Sequence, residues 1–261
     1  MSETDTKYAI ESFPRIRKAT IGLLSAARRK HMIHSMIEVD ITDSRKNLRT
    51  LKRETTSFLS ITGYIISCVS RVVDQNKRMH AYRNRRGELI LFEEVDVSTT
   101  IERKMKGGRE VVAMIIRRAN HKTAAEISEE IRDEKASEAD QSEVFRAMRL
   151  FLTIPSFIRQ LIFRLLDRSP RLMKKRAGTV MVTSANLAGK GAGWGIPVAT
   201  HTLNITIGGI VDRVVERDHH FETREHLCLT LSFDHDIIDG APASRFIRDL
   251  KRLIESGVIA A

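Results

Sequence analysis

The residues of this 261-residue chain best placed to do chemistry are His235-Asp236-Ile237-Ile238-Asp239-Gly240, a hexapeptide that closes an apolar strand-like run and precedes a helix-like one. An imidazole takes up and returns a proton near neutral pH, and positioned acid–base catalysis of this kind is worth about 10² to 10⁴ in rate. A histidine at a strand end is also a common packing residue, so the hexapeptide is weighed with its surroundings. Asp239 has two readings: support for a site, or N-cap of the helix that begins at APASRF. Gly240 is expected to let the backbone turn sharply beside the histidine.

Other candidates carry less. Gly189-Lys190-Gly191-Ala192-Gly193-Trp194-Gly195 evokes a nucleotide loop but lacks the Gly-Lys-Ser/Thr ending and runs into a strand, so it reads as a flexible loop near the mouth of the site. Asp234-x-Asp236-x-x-Asp239 misses the calcium-loop spacing and has no closing glutamate. His31, His34, His219, His220 and His226 form no matched ligand set, and no metal is expected. Cys68 and Cys228 make no CxxC, which leaves no zinc ribbon or redox motif and suits a reducing compartment.

The elements that must position the hexapeptide belong to a soluble globular chain, 42% apolar and 30% charged, long enough for one large domain or two small ones. The amino end has no charged-then-apolar run, so a cytoplasmic protein is expected. Uncharged residues 191–211 hold five glycines and Pro197, and read as loop plus buried strand rather than a membrane span. Forty-four Lys+Arg against 33 Asp+Glu give a net charge of +11, which favours anionic partners. No nucleic-acid-binding signature accompanies that charge, and no nucleic acid is expected. Nine of the basic residues fall within 144–176, against the single Asp167.

Apolar spacing predicts a helix over 14–34, with Pro14 in its first turn, and a strand over 35–42 that leads into the capping cluster Thr42-Asp43-Ser44 and a charged helix. A second apolar helix is predicted over 60–75. Arg85-Arg86-Gly87 is a hairpin-type turn before ELILFEEVDVSTTIE, read as a pair of strands, with a further strand over 111–116 and a helix in HKTAAEISEEIRDEKASEA. The last third reads as three strands followed by the helix SRFIRDLKRLIESG. Helix and strand alternate without a regular βαβ cadence, which points to α+β: a sheet with helices on one face.

Here the residues reach a family. LTLSFDHDIIDGAPASRFIRDLKRLIESG resembles the closing segment of the dihydrolipoyl acyltransferase catalytic domain of 2-oxoacid dehydrogenase complexes, whose signature His-x-x-x-Asp-Gly is shared with chloramphenicol acetyltransferases. RIRKATIGLLSAARRKHMIHSMIEVDIT is similar to the family's opening, IIRRANHKTAAEISEEI to its Val-Ile-Arg-x-Ala helix start, and GTVMVTSANLAG to its Gly-Thr-Phe-Thr-Ile-Ser-Asn-Leu-Gly strand. The resemblance implies the coenzyme A-dependent acyltransferase fold, a two-layer sandwich of mixed sheet and helices, in one catalytic domain over 1–261. It also implies a homotrimer with active sites between subunits.

By resemblance, His235 is the base that makes a thiolate, and Thr183, or Ser184 if the alignment slips by one, donates to the tetrahedral oxyanion. Asp239 pairs with Arg17 and holds the site together, and no acyl-enzyme forms. Three positions depart from the pattern: Asp236 where arginine is usual, and Met114 and Ile33 where proline is usual. The chain shows no lipoyl domain of its own, so the expected partners are coenzyme A on one side and a lipoyl group on a separate protein on the other. The segment 144–176 lengthens a family connection. It reads either as an amphipathic helical hairpin packed on the domain or as a surface for an anionic membrane, an acidic partner or coenzyme A phosphates, leaving the protein cytoplasmic or peripheral to a membrane. The alternatives to acyl transfer between thiols are a non-catalytic trimeric scaffold and an O- or N-acetyltransferase acting on a small molecule.

Overall fold

Strand pairing builds the molecule outward from its carboxyl-terminal third, where two fifteen-residue strands, β7 (Leu203–Arg217) and β8 (His220–Asp234), form a long antiparallel hairpin. The computed structural model describes residues 9–13, 21, 24, 27–55, 58–105, 108–136, 153–155, 158–159, 161–162, 165, 169–185 and 191–259. β1 (Met32–Asp40) pairs antiparallel with β8. On the other side, β6 (Val180–Ser184) lies parallel to β7, β4 (Val97–Met105) lies parallel to β6, and β5 (Gly108–Ile116) closes the sheet antiparallel to β4. The order is therefore β1-β8-β7-β6-β4-β5, with a separate short hairpin of β2 (Tyr82–Arg83) and β3 (Leu89–Ile90). Parallel neighbours need crossovers. One of them, from β5 back to β6, runs through α3 (Ala124–Ala136) and α4 (Pro170–Ala177).

The sheet has two unlike faces, because residues directly opposite across a ladder share a side. Val97, Val180, Leu203 and Phe233 stand in one row, and Val182, Ile205 and Leu231 in the next. They form a continuous core with α1 (Thr42–Glu54), α2 (Ile61–Asp74), α3 and α5 (Gly240–Glu255). Phe233 meets Phe246 of α5 edge-on with ring centroids 6.0 Å apart. The other face carries Thr183, Thr206 and Thr230 in one row and Met181, Asn204, Ser232 and His34 in the next. This is the α+β two-layer arrangement, apolar under the helices and rich in hydroxyls opposite them.

Several local expectations change. β1 starts at Met32, so the helix expected to run to residue 34 is over by then: its last turn closes with Arg28 N–H on Leu24 O, and Met32 already pairs with Asp234. Thr42-Asp43-Ser44 does not cap α1, whose N-cap is Ile41. Its side chains reach instead to other elements: the Thr42 hydroxyl accepts from Glu225 N–H, Asp43 takes Arg224, and the Ser44 hydroxyl donates to Ile254 O. ELILFEEVDVSTTIE breaks between Leu91 and Asp96, where the Asp96 carboxylate turns aside to accept from Arg117 and from Arg118 N–H. Thr123 and Glu126 cap α3 reciprocally, each side chain on the other's backbone N–H. Arg17 and most of 144–176 lie outside the described residues, apart from short stretches and α4.

Candidate active site

The turn that carries His235 is fixed by its neighbours on both sides. β8 ends at Asp234, whose N–H donates to Thr202 O, and its carbonyl accepts from Ile237 and Ile238 N–H. The Asp234 carboxylate is buried, takes Lys30 Nζ at 2.6 Å and accepts from Asp236 N–H at 3.2 Å. Ile238 plugs the turn into the core. His235 N–H donates to His31 O at 2.7 Å, which ties the turn to the chain just before β1. What remains is a half-exposed imidazole, 45% accessible, with Nδ1 3.6 Å from Asp239 Oδ1.

Asp239 occupies the N-cap position of α5 but makes no side-chain capping bond, and its carboxylate, 84% accessible, lies on the His235 side. Gly240 does not do what was expected of it. It is the first residue of α5, is not among the positive-φ glycines, and has open space where a Cβ would stand. The turn is made by Asp234 and the hydrogen bonds around it. Asp236 takes the His31 imidazole at 2.9 Å and Arg83 at 3.7 Å, so the reversed charge at this position has basic side chains from elsewhere in the fold beside it. Ile33 and Met114 both sit inside strands, opposite Phe233 and Thr99.

Sequence reasoning missed Asp234 and Lys30. The only local signal was an aspartate at the end of an apolar run, immediately before the histidine. Its partner lies 204 residues away in the chain.

Thr183 projects from the hydroxyl face of β6, with Oγ1 3.4 Å from Thr206 Oγ1. Thr230, next in the row, buries an Oγ1 with no hydrogen-bond partner among the described residues. Ser184 follows Thr183 in the strand and so points to the opposite side, exposed at the sheet's end. The strand register separates Thr183 from His235. Thr183 is opposite Thr206, Thr206 opposite Thr230, and His235 lies five residues beyond Thr230. That is about 17 Å along the strands and about 10 Å across two of them. One chain does not bring the two groups together.

The start of β6 is a buried polar knot. Gly178 has φ 79°, and a Cβ there would stand 2.7 Å from Asp96 O. Thr179 N–H donates to Asp96 O, its hydroxyl accepts from Asp96 N–H, and His80 Nδ1 lies 3.0 Å from that hydroxyl. Tyr82 O–H donates to Gly178 O, and His201 Nε2 lies 2.7 Å from Ala177 O. Burial pushes both histidines down to about 4, so both are neutral near pH 7.

The glycine-rich loop is tied down where it is described: Gly209 N–H donates to Gly193 O, Gly191 N–H to Ile210 O, and Trp194 Nε1–H to Ile37 O. Burial pushes the Cys68 thiol up to about 12 and also raises Cys228, so neither is a ready nucleophile. Among the described residues no cluster of three or more His, Cys, Asp or Glu could hold a metal, and no helix is long and apolar enough to cross a membrane.

A mixed sheet backed by helices on one face is a fold the chain shares with a chloramphenicol acetyltransferase, with TM-score 0.51, 11% identity, and 95% and 98% of the two chains covered. The family described as 2-oxoacid dehydrogenases acyltransferase (catalytic domain) matches residues 5–144 and 151–258, and the chain belongs to it. It is 22% identical over 263 residues to the dihydrolipoyllysine-residue acetyltransferase component of the Staphylococcus epidermidis pyruvate dehydrogenase complex, covering 98% of this chain and 53% of that protein. The chain thus spans about half the length of the curated relatives it matches.

Among solved structures it is similar to a probable dihydrolipoamide acetyltransferase from Listeria monocytogenes, with TM-score 0.66, 21% identity, and 97% and 95% of the two chains covered. It is also similar to the Azotobacter vinelandii dihydrolipoamide acetyltransferase, with TM-score 0.70, 17% identity, and 98% and 96% covered.

Proposed function

We propose that the chain is a single catalytic domain that transfers an acyl group directly between coenzyme A and the dihydrolipoyl group of a lipoyl-carrying protein. In this reading it acts in the cytoplasm as a homotrimer whose sites form between subunits. His235 Nε2, the ring nitrogen turned away from Asp239, takes the proton of the incoming thiol. The thiolate attacks the thioester carbonyl carbon, and the tetrahedral oxyanion accepts a hydrogen bond from the Thr183 hydroxyl of a neighbouring subunit. Collapse of the adduct expels the other sulfur as a thiolate, which recovers the proton from the imidazolium. Charge and atoms balance without an acyl-enzyme. Asp239 steadies the histidine turn, with Arg17 as its partner.

The observation that carries this reading is a matched spacing. In the Azotobacter vinelandii enzyme, the serine, histidine and asparagine whose roles in the catalytic mechanism were investigated stand 52 and then four residues apart. Thr183, His235 and Asp239 keep both intervals. The separation of Thr183 from His235 within one chain supports a site shared by two subunits.

The test is thiol exchange between acetyl-CoA and free dihydrolipoamide with the purified chain. His235→Ala is expected to lower the rate by about 10² to 10⁴. A mixture of His235→Ala and Thr183→Ala chains, dissociated and reassembled, is expected to recover about one quarter of wild-type activity, the share of interfaces that join two intact halves in a cyclic assembly. A wild-type rate no faster than the uncatalysed background rejects the enzyme in favour of a scaffold, and no recovery on mixing rejects the shared site.

A further inference from the structure

The stretch ahead of α4 holds a helix that lies the wrong way round for water. Residues 158, 159, 161, 162 and 165 are helical, and the Ile158 and Arg159 N–H groups both donate to Pro155 O at 3.1 Å. Ile158, Leu161 and Leu165, at i, i+3 and i+7, share one side of that helix, and all three are exposed, Leu161 by 53% and Leu165 by 43%. Arg159 lies off that stripe, is only 8% exposed, and has an Nη1 with no hydrogen-bond partner among the described residues. A helix packed on a protein in water does the reverse, burying leucine and leaving the guanidinium to solvent. Both halves of the inversion are unfavourable in water, the first for its apolar area and the second for its orphaned donor.

The same pairing of exposed leucine with free cations continues in α4. Its buried Pro170 and the Lys174 ammonium, 3.1 Å from Glu94, face the domain. Its outer side carries exposed Leu172 with Lys175 and Arg176 at i+3 and i+4 beside it. Neither of those two cations makes an ion pair with a described residue. Side chains that stand out from helix surfaces, apolar in the middle and basic alongside, suit a deformable anionic layer: leucines leave water for the acyl boundary while the cations stay among the headgroups.

We propose that the 158–165 helix and the outer side of α4 bind the surface of an anionic phospholipid bilayer, with Ile158, Leu161, Leu165 and Leu172 entering the headgroup boundary and Lys175 and Arg176 meeting lipid phosphates. The contact is peripheral, since no helix among the described residues is long and apolar enough to cross a membrane. It does not depend on acyl transfer, because none of these residues is given a chemical role in that reaction.

The full-length chain is floated on a density gradient with vesicles of equal parts phosphatidylglycerol and phosphatidylcholine, and with vesicles of phosphatidylcholine alone. Wild type is expected to float with the anionic vesicles about tenfold better than with the neutral ones, and less as salt rises. The double variant Leu161→Ser/Leu165→Ser is expected to lose about tenfold or more of that binding, and Lys175→Ala/Arg176→Ala to lose less, with a weaker salt dependence. Val214→Ser, an exposed apolar position on the β7–β8 hairpin, should bind as wild type does. Light scattering is expected to give the same assembly mass for all of them. Absence of flotation, equal flotation with both vesicle types, or an equal loss in Val214→Ser overturns the proposal. A fall in mass confined to Leu161→Ser/Leu165→Ser also overturns it, and assigns the leucine stripe to contact between copies of the chain. Circular dichroism of each variant confirms that a loss is not unfolding.

Discussion

Thr183 and Ser184 are adjacent hydroxyls, of which the resemblance favours Thr183 unless the alignment slips by one, and strand alternation separates them: Thr183 shares the face of Thr206, while Ser184 points the other way at the end of β6. Replacing Thr183 with alanine is therefore expected to lower turnover in the thiol-exchange assay by about 10² to 10³, the usual cost of one oxyanion donor, with little change in the Michaelis constant for acetyl-CoA. Thr183→Ser keeps the O–H and should stay within about tenfold of wild type, and Ser184→Ala should be silent. Equal losses in Thr183→Ala and Thr183→Ser would assign the residue to packing.

At this scale the sequence was most readable where chemistry is local. His235 and Asp239 lie four residues apart and announce themselves. The groups that hold them do not: Lys30 meets Asp234, and His31 meets both His235 and Asp236, across some two hundred positions of chain. Gly240 misled for the converse reason, because a glycine beside a histidine looks like a hinge until the backbone shows a helix starting there.

Elements were legible in type and less so in their ends. The helices over 61–74 and 124–136 and the long strands β7 and β8 follow from apolar spacing alone. The break at residues 91–96 does not, since it depends on Asp96 gathering Arg117 and Arg118 from beyond β5. The same Asp96 backbone sets the start of the strand that bears Thr183. Gly178 must be glycine there for two reasons, a left-handed φ of 79° and a backbone oxygen 2.7 Å from any Cβ. Gly87 has the first constraint, φ 81°, with open space around it. Gly178→Ala is thus expected to destabilise the chain by about 2 kcal/mol or more in urea unfolding, and Gly87→Ala by about 1 kcal/mol. Similar values for the two would show that Asp96 yields and that the close approach carries no energy.

For the whole molecule, the buried histidines make the seating of β6 a matter of pH. His80 and His201 lie under the point where α4 passes into β6, one at the Thr179 hydroxyl and the other at Ala177 O. Desolvation is the largest cause of both shifts. Lys77 and Lys174 add to it at His80, and Lys30 at His201, while the Phe92 backbone and Asp74 at His80, and the Ala177 carbonyl bonded to His201, oppose it. Both groups are lowered from 6.5 to about 4 in the fold, so the unfolded chain binds their protons first as the solution is acidified. Their contribution to stability is whole above pH 6.5 and is lost as pH falls from 6.5 to 4. At 1.36 kcal/mol per pKa unit, each removes up to about 3 kcal/mol over that window, a large part of the stability of an ordinary domain. Glu38, Asp40, Asp74 and Glu126, all lowered from ordinary carboxylate values, act at lower pH and extend the loss beyond the histidine window. Urea unfolding measured between pH 7 and pH 4 should therefore show a stability slope approaching two protons near pH 5, falling towards one in His201→Gln, whose amide can still donate to Ala177 O. A slope unchanged by that substitution would place the acid sensitivity elsewhere in the fold.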